Sequence, residues 1–187
     1  MSARPTAEQR ERLFIGVSLT DEARQVIAKS LPNSLPGKPV PPENWHFTLR
    51  FLGSTSADVR DGIIERLGSA TCGAPFTVRF HELGAFPNAR RARILWLGVD
   101  EGAERMIQLA AIAEATARVA GFAPETKQFK PHLTLARIEP PVSVNTLIAS
   151  KPRFGVRMVV DSIILSRSRL GGGPARYEEV VRIPLGR

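Results

Sequence analysis

Cysteine and long apolar runs are both scarce in this sequence. Its 187 residues include a single cysteine, Cys72, which cannot form an internal disulfide or a multi-cysteine metal cluster. No apolar stretch approaches the roughly 18 residues that a membrane-spanning helix requires. The polar segment 1–12 lacks the apolar core of a secretory signal. We therefore expect a protein of the reducing cytoplasm that has no membrane partner.

Histidine is also rare, and acidic residues are outnumbered by basic ones. The sequence has three histidines, and its 26 Lys and Arg residues against 18 Asp and Glu residues give a formal net charge of +8. A basic surface concentrates polyanions, of which nucleic acid is the commonest. Binding of that kind weakens as the salt concentration rises. The same excess could serve solubility alone, so the net charge by itself does not decide between the two interpretations.

The spacing of apolar residues predicts strands and helices mixed along a single domain. Two tight strand pairs indicate antiparallel pairing, so the α+β class is favoured over a doubly wound parallel sheet. Residues 1–11 are predicted to be a mobile leader ahead of this domain. Strands are predicted over residues 13–17, 45–52, 76–86, 94–99, 131–138, 156–165 and 177–183, helices after Thr20, from near Ser56, and over 101–120 and 144–150, and loops over the Pro-rich segment 31–42 and around 171–173.

One four-residue pattern occurs twice. Residues 46–49, His-Phe-Thr-Leu, have a counterpart in residues 132–135, His-Leu-Thr-Leu. Each copy follows a Pro-containing loop, lies on a predicted strand and is followed by a basic residue, Arg50 in the first and Arg137 in the second. The pattern uses two of the three histidines, which argues against chance. It indicates two related halves that each contribute one strand to a shared site.

A His-x-Thr pattern on a strand places an imidazole and a hydroxyl on one face, because side chains alternate. Two such strands give His46 and Thr48 beside His132 and Thr134. Imidazole can act as an acid or a base, since its pKa of about 6.5 lies near neutral pH. The hydroxyls can donate to phosphate oxygens. Two histidines are too few for a structural zinc site, which needs four ligands. The constellation therefore favours phosphodiester hydrolysis without metal, with one histidine neutral and the other protonated.

At these motifs the sequence resembles the 2H phosphoesterase superfamily, and is most similar to the RNA 2′,3′-cyclic phosphodiesterases, also called 2′-5′ RNA ligases. The resemblance implies a bilobal α+β domain over residues 12–187. It would have two pseudo-symmetric lobes with mainly antiparallel sheets and flanking helices around a central groove. The matching segments are 46–53 and 131–137, with supporting likeness at 12–15, 84–87, 95–98 and 166–177.

The resemblance also implies an activity and a role for each site residue. It implies hydrolysis of RNA ends that carry a 2′,3′-cyclic phosphate, without metal or cofactor, by a protein that we expect to be monomeric. His46 would donate a proton to the leaving 3′ oxygen, and His132 would accept one from water. Arg137 would contact the phosphate, and Phe51 would stack on the base. Strict alternation places Phe51 on the core face, so this role requires a bulge or a strand end.

Other functions remain compatible with the sequence. A member of the superfamily could act on 2′-5′-linked oligonucleotides or on a small cyclic nucleotide. The chain could also be a basic RNA-binding module whose histidines only contact phosphate. ATP-dependent ligation is disfavoured because no adenylation lysine motif is present. Residues 171–173 are not followed by Lys-Ser/Thr, so they do not form a P-loop.

Four further features could carry function, but each has an ordinary structural explanation. His81 has no threonine two places on and is predicted to have no catalytic role. The arginines within residues 90–93 could hold an RNA backbone or form a solvated hairpin tip. Cys72, Trp45 and Trp96 are predicted to belong to the core.

Overall fold

The structure, a computed structural model, describes residues 10–150, 154–169, 171 and 175–186. The predicted α+β class is confirmed. None of the helices in the described ranges is long and apolar enough to cross a membrane. The strands are β1 Glu11–Ser18, β2 Lys38–Pro39, β3 His46–Thr55, β4 Phe76–Phe86, β5 Ala92–Val99, β6 His132–Val142, β7 Arg157–Val160, β8 Ser162–Arg169 and β9 Arg176–Pro184; the helices are α1 Asp21–Ser30, α2 Ala57–Ser69, α3 Ala103–Val119 and α4 Asn145–Ala149, with a 3₁₀ turn at Pro42–Asn44.

The strands form one strongly curled sheet in which every described pairing is antiparallel. The strand order is β7-β4-β5-β6-β3-β1-β8-β9, and β2 pairs with β6 outside that path. Phe47 and Phe80 stack in the core with ring centroids 5.7 Å apart, and both are at most 1% exposed. Burial of each such ring contributes about 1.5–3 kcal/mol, which fixes the central strands rigidly.

Each of the three longer helices packs an apolar stripe against the sheet. Ile27 of α1, Ile63 of α2 and Met106 of α3 are each 0% exposed. Thr20 caps α1 as predicted, since its hydroxyl accepts from the Ala23 amide at 3.2 Å. Val26 of α1 is 40% exposed, because only one narrow stripe of this short helix meets the core.

The two strands that carry the repeated motif are neighbours at the centre of the sheet. Phe47 of β3 lies opposite Leu133 of β6. Extending this antiparallel register by one residue in each direction places His46 across from Thr134, and Thr48 across from His132. The two motifs are therefore related by a local two-fold axis. The four polar side chains share one face of the sheet, which we call the histidine face.

Both central strands contain a bulge directly after the motif. Along β3 the register with β1 shifts by one residue at Leu49, and along β6 the register with β5 shifts by one residue at Leu135. Each extra residue reverses which face the following side chains occupy. Phe51 is consequently 62% exposed, and Arg137 is exposed as well. The bulge that the predicted role of Phe51 requires is thus present.

Several predicted boundaries differ from the structure. The Pro-rich loop 31–42 contains β2, which is only two residues long and gives no periodic signal. The single strand predicted over 156–165 is two strands separated at Asp161, because β7 pairs with β4 whereas β8 pairs with β1. The strand β1 begins at Glu11, inside the predicted leader. Residues 1–9, and Gly172 and Gly173 of the predicted glycine loop, lie outside the described residues.

Candidate active site

His46 stands at the start of β3 and is fixed on several sides. Its Nδ1 lies 2.8 Å from the Asn44 carbonyl oxygen, which can only accept, so Nδ1 carries the proton of the neutral ring. Its Nε2 lies 2.9 Å from the Thr48 hydroxyl. The ring stacks on Phe14, with centroids 4.5 Å apart, and meets the edge of Tyr177 at 4.8 Å. Nε2 is therefore the nitrogen that can exchange protons at the histidine face.

His132 is held in a matching way at the start of β6. Its Nδ1 donates to the Lys130 carbonyl oxygen at 2.7 Å, which again is the carbonyl two residues before the histidine. Phe86 meets the ring at 5.1 Å and Trp96 at 6.2 Å. The Lys130 ammonium lies 4.3 Å from the centre of the Trp96 ring, a cation–π contact. Both histidines therefore have the same tautomer, with Nε2 available for chemistry.

The surroundings of both histidines favour the neutral imidazole. Burial lowers the pKa of His46 from its ordinary 6.5 to about 4, and the positive charges of Arg137 and Arg24 add to the effect. His132 also acts electrostatically on His46, as expected for two rings on one face. Burial lowers the pKa of His132 too, followed by the charge of Lys130. Both pKa shifts therefore favour the neutral form of the rings in the free protein.

Thr48 and Thr134 occupy equivalent places beside the two histidines. Both are partly buried and lie on the histidine face, so each can present a hydroxyl to a group bound there. Thr134 is the partner of Trp96 on β5. The structure thus brings together the four residues of the two motifs as predicted.

Arg50, the basic residue that follows the first motif, does not occupy the place that Arg137 occupies after the second. Its side chain is 11% exposed, and its Nε lies 2.6 Å from a carboxylate oxygen of Glu114 on α3. It also donates to the carbonyl oxygens of Phe51 and Ala123, at 2.8 and 2.5 Å. Arg50 directly follows the bulge, which directs its side chain away from the histidine face. The residue five places after His46 is Phe51, and Arg137 is five places after His132.

Three neighbours of the histidines escaped the sequence-based prediction. Phe14 lies within a continuous apolar strand and was assigned to the core. Tyr177 comes from the last strand, far along the sequence. Lys130 was passed over, although it directly precedes the Pro-His pair of the second motif. Its proximity to that motif was the one signal available. Trp96 is 4% exposed, as predicted for a core residue, but it also contacts His132.

A small cavity adjoins His46 rather than His132. It measures about 110 Å³ and its lining includes Phe14, Asn44, Tyr177 and Arg24. A larger cavity of about 390 Å³, between α1 and the start of β8, contains neither histidine. The larger cavity therefore lies away from the four side chains of the two motifs, which define the candidate site. Within the described residues, no group of three or more His, Cys, Asp or Glu side chains is arranged to hold a metal ion.

The two-fold arrangement of the site has a parallel in the sequence comparisons. The family described as "LigT like Phosphoesterase" matches the chain twice, over residues 17–96 and 97–175. This chain belongs to the LigT-like phosphoesterase family. Each matched half carries one His-x-Thr motif, so the two predicted halves of the LigT-like domain are confirmed.

LigT-like relatives are found in both archaea and bacteria. The RNA 2′,3′-cyclic phosphodiesterase of Aeropyrum pernix is 38% identical over 136 residues, which cover 73% of this chain and 76% of that protein. The protein of the same name from Escherichia coli is 29% identical over 175 residues, which cover 92% and 95% of the two chains.

Solved LigT-like structures superpose closely on this fold. The crystal structure of E. coli LigT complexed with 3′-AMP has a TM-score of 0.77 and 28% identity, and the match covers 96% of this chain and all of that chain. The crystal structure of the TT0787 protein of Thermus thermophilus gives a TM-score of 0.74 at 30% identity, covering 93% and 97%.

Proposed function

We propose that this protein hydrolyses RNA 2′,3′-cyclic phosphate ends to 2′-phosphomonoesters, with His46 and His132 as a paired acid and base. The observation that carries the proposal is the matched pair of imidazoles. Each has Nδ1 bonded to the backbone carbonyl two residues earlier, so both Nε2 atoms are available at one face. The named activity of the relatives from A. pernix and E. coli supports the same reaction.

The proposed reaction is an in-line displacement at phosphorus. Nε2 of His132 accepts a proton from water, and the water oxygen forms a bond to phosphorus. The bond from phosphorus to the 3′ oxygen breaks, and Nε2 of His46 donates a proton to that oxygen. The hydroxyls of Thr48 and Thr134 and the guanidinium of Arg137 stabilise the non-bridging oxygens. A ribose 5′-hydroxyl in place of water would give a 2′-5′ linkage through the same proton transfers.

The donor role requires His46 to be protonated, although its burial in the free protein opposes this. A bound phosphate brings a negative charge next to the ring, and a nearby opposite charge favours the charged form of a histidine. The substrate thus supplies part of the electrostatic stabilisation that its own hydrolysis needs. Phe51, which is 62% exposed and 6.2 Å from Phe14, offers an aromatic surface on which the terminal base can stack.

The lowered pKa values of both histidines predict an acidic optimum for kcat/KM. The reactive form holds one proton on the pair, and kcat/KM reports the ionisation of the free enzyme. We expect kcat/KM to be greatest between the lowered pKa of His46, about 4, and the ordinary value of 6.5, and to decline at higher pH. The kcat profile should extend to higher pH, because bound phosphate raises both pKa values. Initial rates from pH 5 to 9 at constant ionic strength test this.

The folded protein sets a lower limit for that measurement. A histidine whose pKa is lower in the folded state binds fewer protons than in the unfolded chain, so stability falls as the pH drops below about 6.5. Circular dichroism at each pH therefore accompanies the kinetics. A kcat/KM maximum at pH 8 or above in folded protein would contradict the proposal that the reactive form holds one proton on a histidine pair with lowered pKa values.

The direct test of the proposed function is product analysis in the presence of EDTA. We expect purified protein to convert a nucleoside 2′,3′-cyclic phosphate to the 2′-phosphate, with no loss of rate in EDTA. Inhibition by EDTA that added metal reverses would overturn the metal-free mechanism. A product bearing a 3′-phosphate would overturn the assigned leaving group. No turnover together with intact RNA binding would favour the RNA-binding module, and turnover only of 2′-5′-linked oligonucleotides would favour the alternative substrate.

A further inference from the structure

A second cation lies beside Arg137 because β2 pairs with β6. Lys38 of β2 is the partner of Arg137 in this antiparallel ladder. Side chains of directly opposite residues point to the same face of a sheet, with Cβ atoms about 4.5–5.5 Å apart. Arg137 is also near enough to His46 to act on it electrostatically. Lys38 therefore extends the positive charge of the site by one strand.

The backbone around Lys38 is fixed on both sides. Gly37 has φ +76°, and a Cβ there would lie 2.5 Å from the Arg137 carbonyl oxygen, so glycine is what lets the two segments approach. On the other side, the Val40 amide donates to the Leu135 carbonyl oxygen at 2.8 Å. Lys38 thus projects from a backbone held against β6, although the sequence around it is rich in proline.

Neither cation is neutralised by the protein. Both side chains are exposed, and within the described ranges neither makes an ion pair or a side-chain hydrogen bond. Other exposed arginines do have carboxylate partners, for example Arg93 with Glu139. Like charges directly opposite in a sheet repel each other and reduce stability. A bound anion between Lys38 and Arg137 would relieve that repulsion.

The two ends of the histidine face differ in chemistry. Position 51, which is equivalent to Arg137, carries a phenylalanine. The arginine before it, Arg50, is paired with Glu114 and does not reach the site. One end is therefore aromatic and the other cationic. An RNA strand presents a base at its terminal nucleotide and phosphates along its body, so its body is attracted to the cationic end.

We propose that Lys38 binds the phosphodiester one nucleotide upstream of the cyclic phosphate that Arg137 contacts, so that the RNA body leaves the site across β2. This inference rests on the proposed function. A mononucleoside 2′,3′-cyclic phosphate has only the reacting phosphate. A dinucleotide with the same cyclic end has one more phosphate, and Lys38 selects for it.

The test compares these two substrates in Lys38→Met and in a matched control. Lys29→Met removes the same charge from an exposed position in the last turn of α1. We expect the ratio of kcat/KM for the dinucleotide to that for the mononucleotide to fall about fivefold in Lys38→Met, the upper range for one exposed charge pair. The negative slope of log(kcat/KM) for the dinucleotide against the logarithm of the salt concentration should become shallower by about 0.7. Both quantities should stay at wild-type values in Lys29→Met.

Other outcomes separate this inference from the proposed function. An unchanged ratio and slope in Lys38→Met would overturn the inference, as would an equal loss with both substrates. If the wild-type protein hydrolyses neither substrate, the proposed function fails, and the binding of an unreactive oligoribonucleotide ending in a 2′-phosphate replaces kinetics. In that case weaker binding by Lys38→Met, measured by fluorescence anisotropy, supports the RNA-binding surface, and equal binding overturns it.

Discussion

Replacement of His46 by alanine should lower kcat by a factor of about 10² to 10⁴, the range for one proton transfer at the transition state, and replacement of His132 by alanine should do the same. In the proposed mechanism each histidine has a separate task on one side of phosphorus, so neither can replace the other. The kcat of the double variant should be only slightly below that of the less active single variant, because the effects of residues that act as a unit are not additive. Single-turnover rates with a nucleoside 2′,3′-cyclic phosphate measure the effect.

His81 provides the matched control for these variants. It lies on β4 with its side chain 59% exposed, 3.6 Å from the Asp100 carboxylate, and it has no threonine two residues on. His81→Ala should keep wild-type kinetics. All three variants should show the circular dichroism spectrum of the folded protein. Retained turnover in His46→Ala or His132→Ala would remove that histidine from the mechanism. If the wild-type protein shows no turnover and the His46 and His132 variants bind RNA modestly more weakly than it does, the chain is an RNA-binding module.

Replacement of Arg50 by methionine should lower the free energy of unfolding by about 3 kcal/mol. Removing one partner of a buried ion pair leaves the other charge without compensation. The Glu114 side chain is 26% exposed, and the carbonyl oxygens of Phe51 and Ala123 would each lose a donor. Urea unfolding measures the change. At temperatures where the variant is folded, kcat/KM should stay near the wild-type value, since Arg50 does not face the phosphate.

Two further variants distinguish this explanation from a general effect of losing an arginine. Arg93→Met removes an exposed arginine whose carboxylate partner, Glu139, is also exposed, and it should change stability far less. Adding Glu114→Gln to Arg50→Met should restore part of the lost stability, because the uncompensated charge is gone. A fully active enzyme with unchanged stability in Arg50→Met would contradict the assigned structural role. A large loss of kcat in a stable variant would instead place Arg50 at the phosphate site.

The sequence predicts this site well where the controlling interactions are local. The His-x-Thr spacing alone places His46 with Thr48, and His132 with Thr134, because a strand alternates with a period of two. The start of α1 at Thr20 follows an equally local capping rule, whereas Ser56 precedes α2 without a side-chain capping hydrogen bond. The catalytic roles within the pair are a different matter: the two motifs are nearly identical, so no local pattern separates acid from base.

The features that the sequence does not reveal depend on contacts between distant segments. The strand β2 has two residues, and it exists because Gly37 can approach β6. The position of Arg50 depends on a bulge and on an ion pair with Glu114, which lies on α3, more than sixty residues later in the sequence. Residue type suggested a match between Arg50 and Arg137, whereas backbone register matches Phe51 with Arg137. Phe14 contacts His46 from the neighbouring strand β1, and Tyr177 contacts it from β9 at the edge of the sheet.

The paired bulges mean that the reach of this site is encoded by a count of residues as much as by their identity. A homologous chain could keep both His-x-Thr motifs and the bulge, yet carry its phenylalanine at the position of Arg50, which the bulge directs away from the histidine face. Its aromatic ring would then turn into the core and one end of the binding face would be blank. When related sequences are compared, an alignment gap of a single position after either motif therefore has two opposite meanings: if the bulge is lost with the residue, the side chain stays on the histidine face, and if the bulge is kept, the side chain turns away from it.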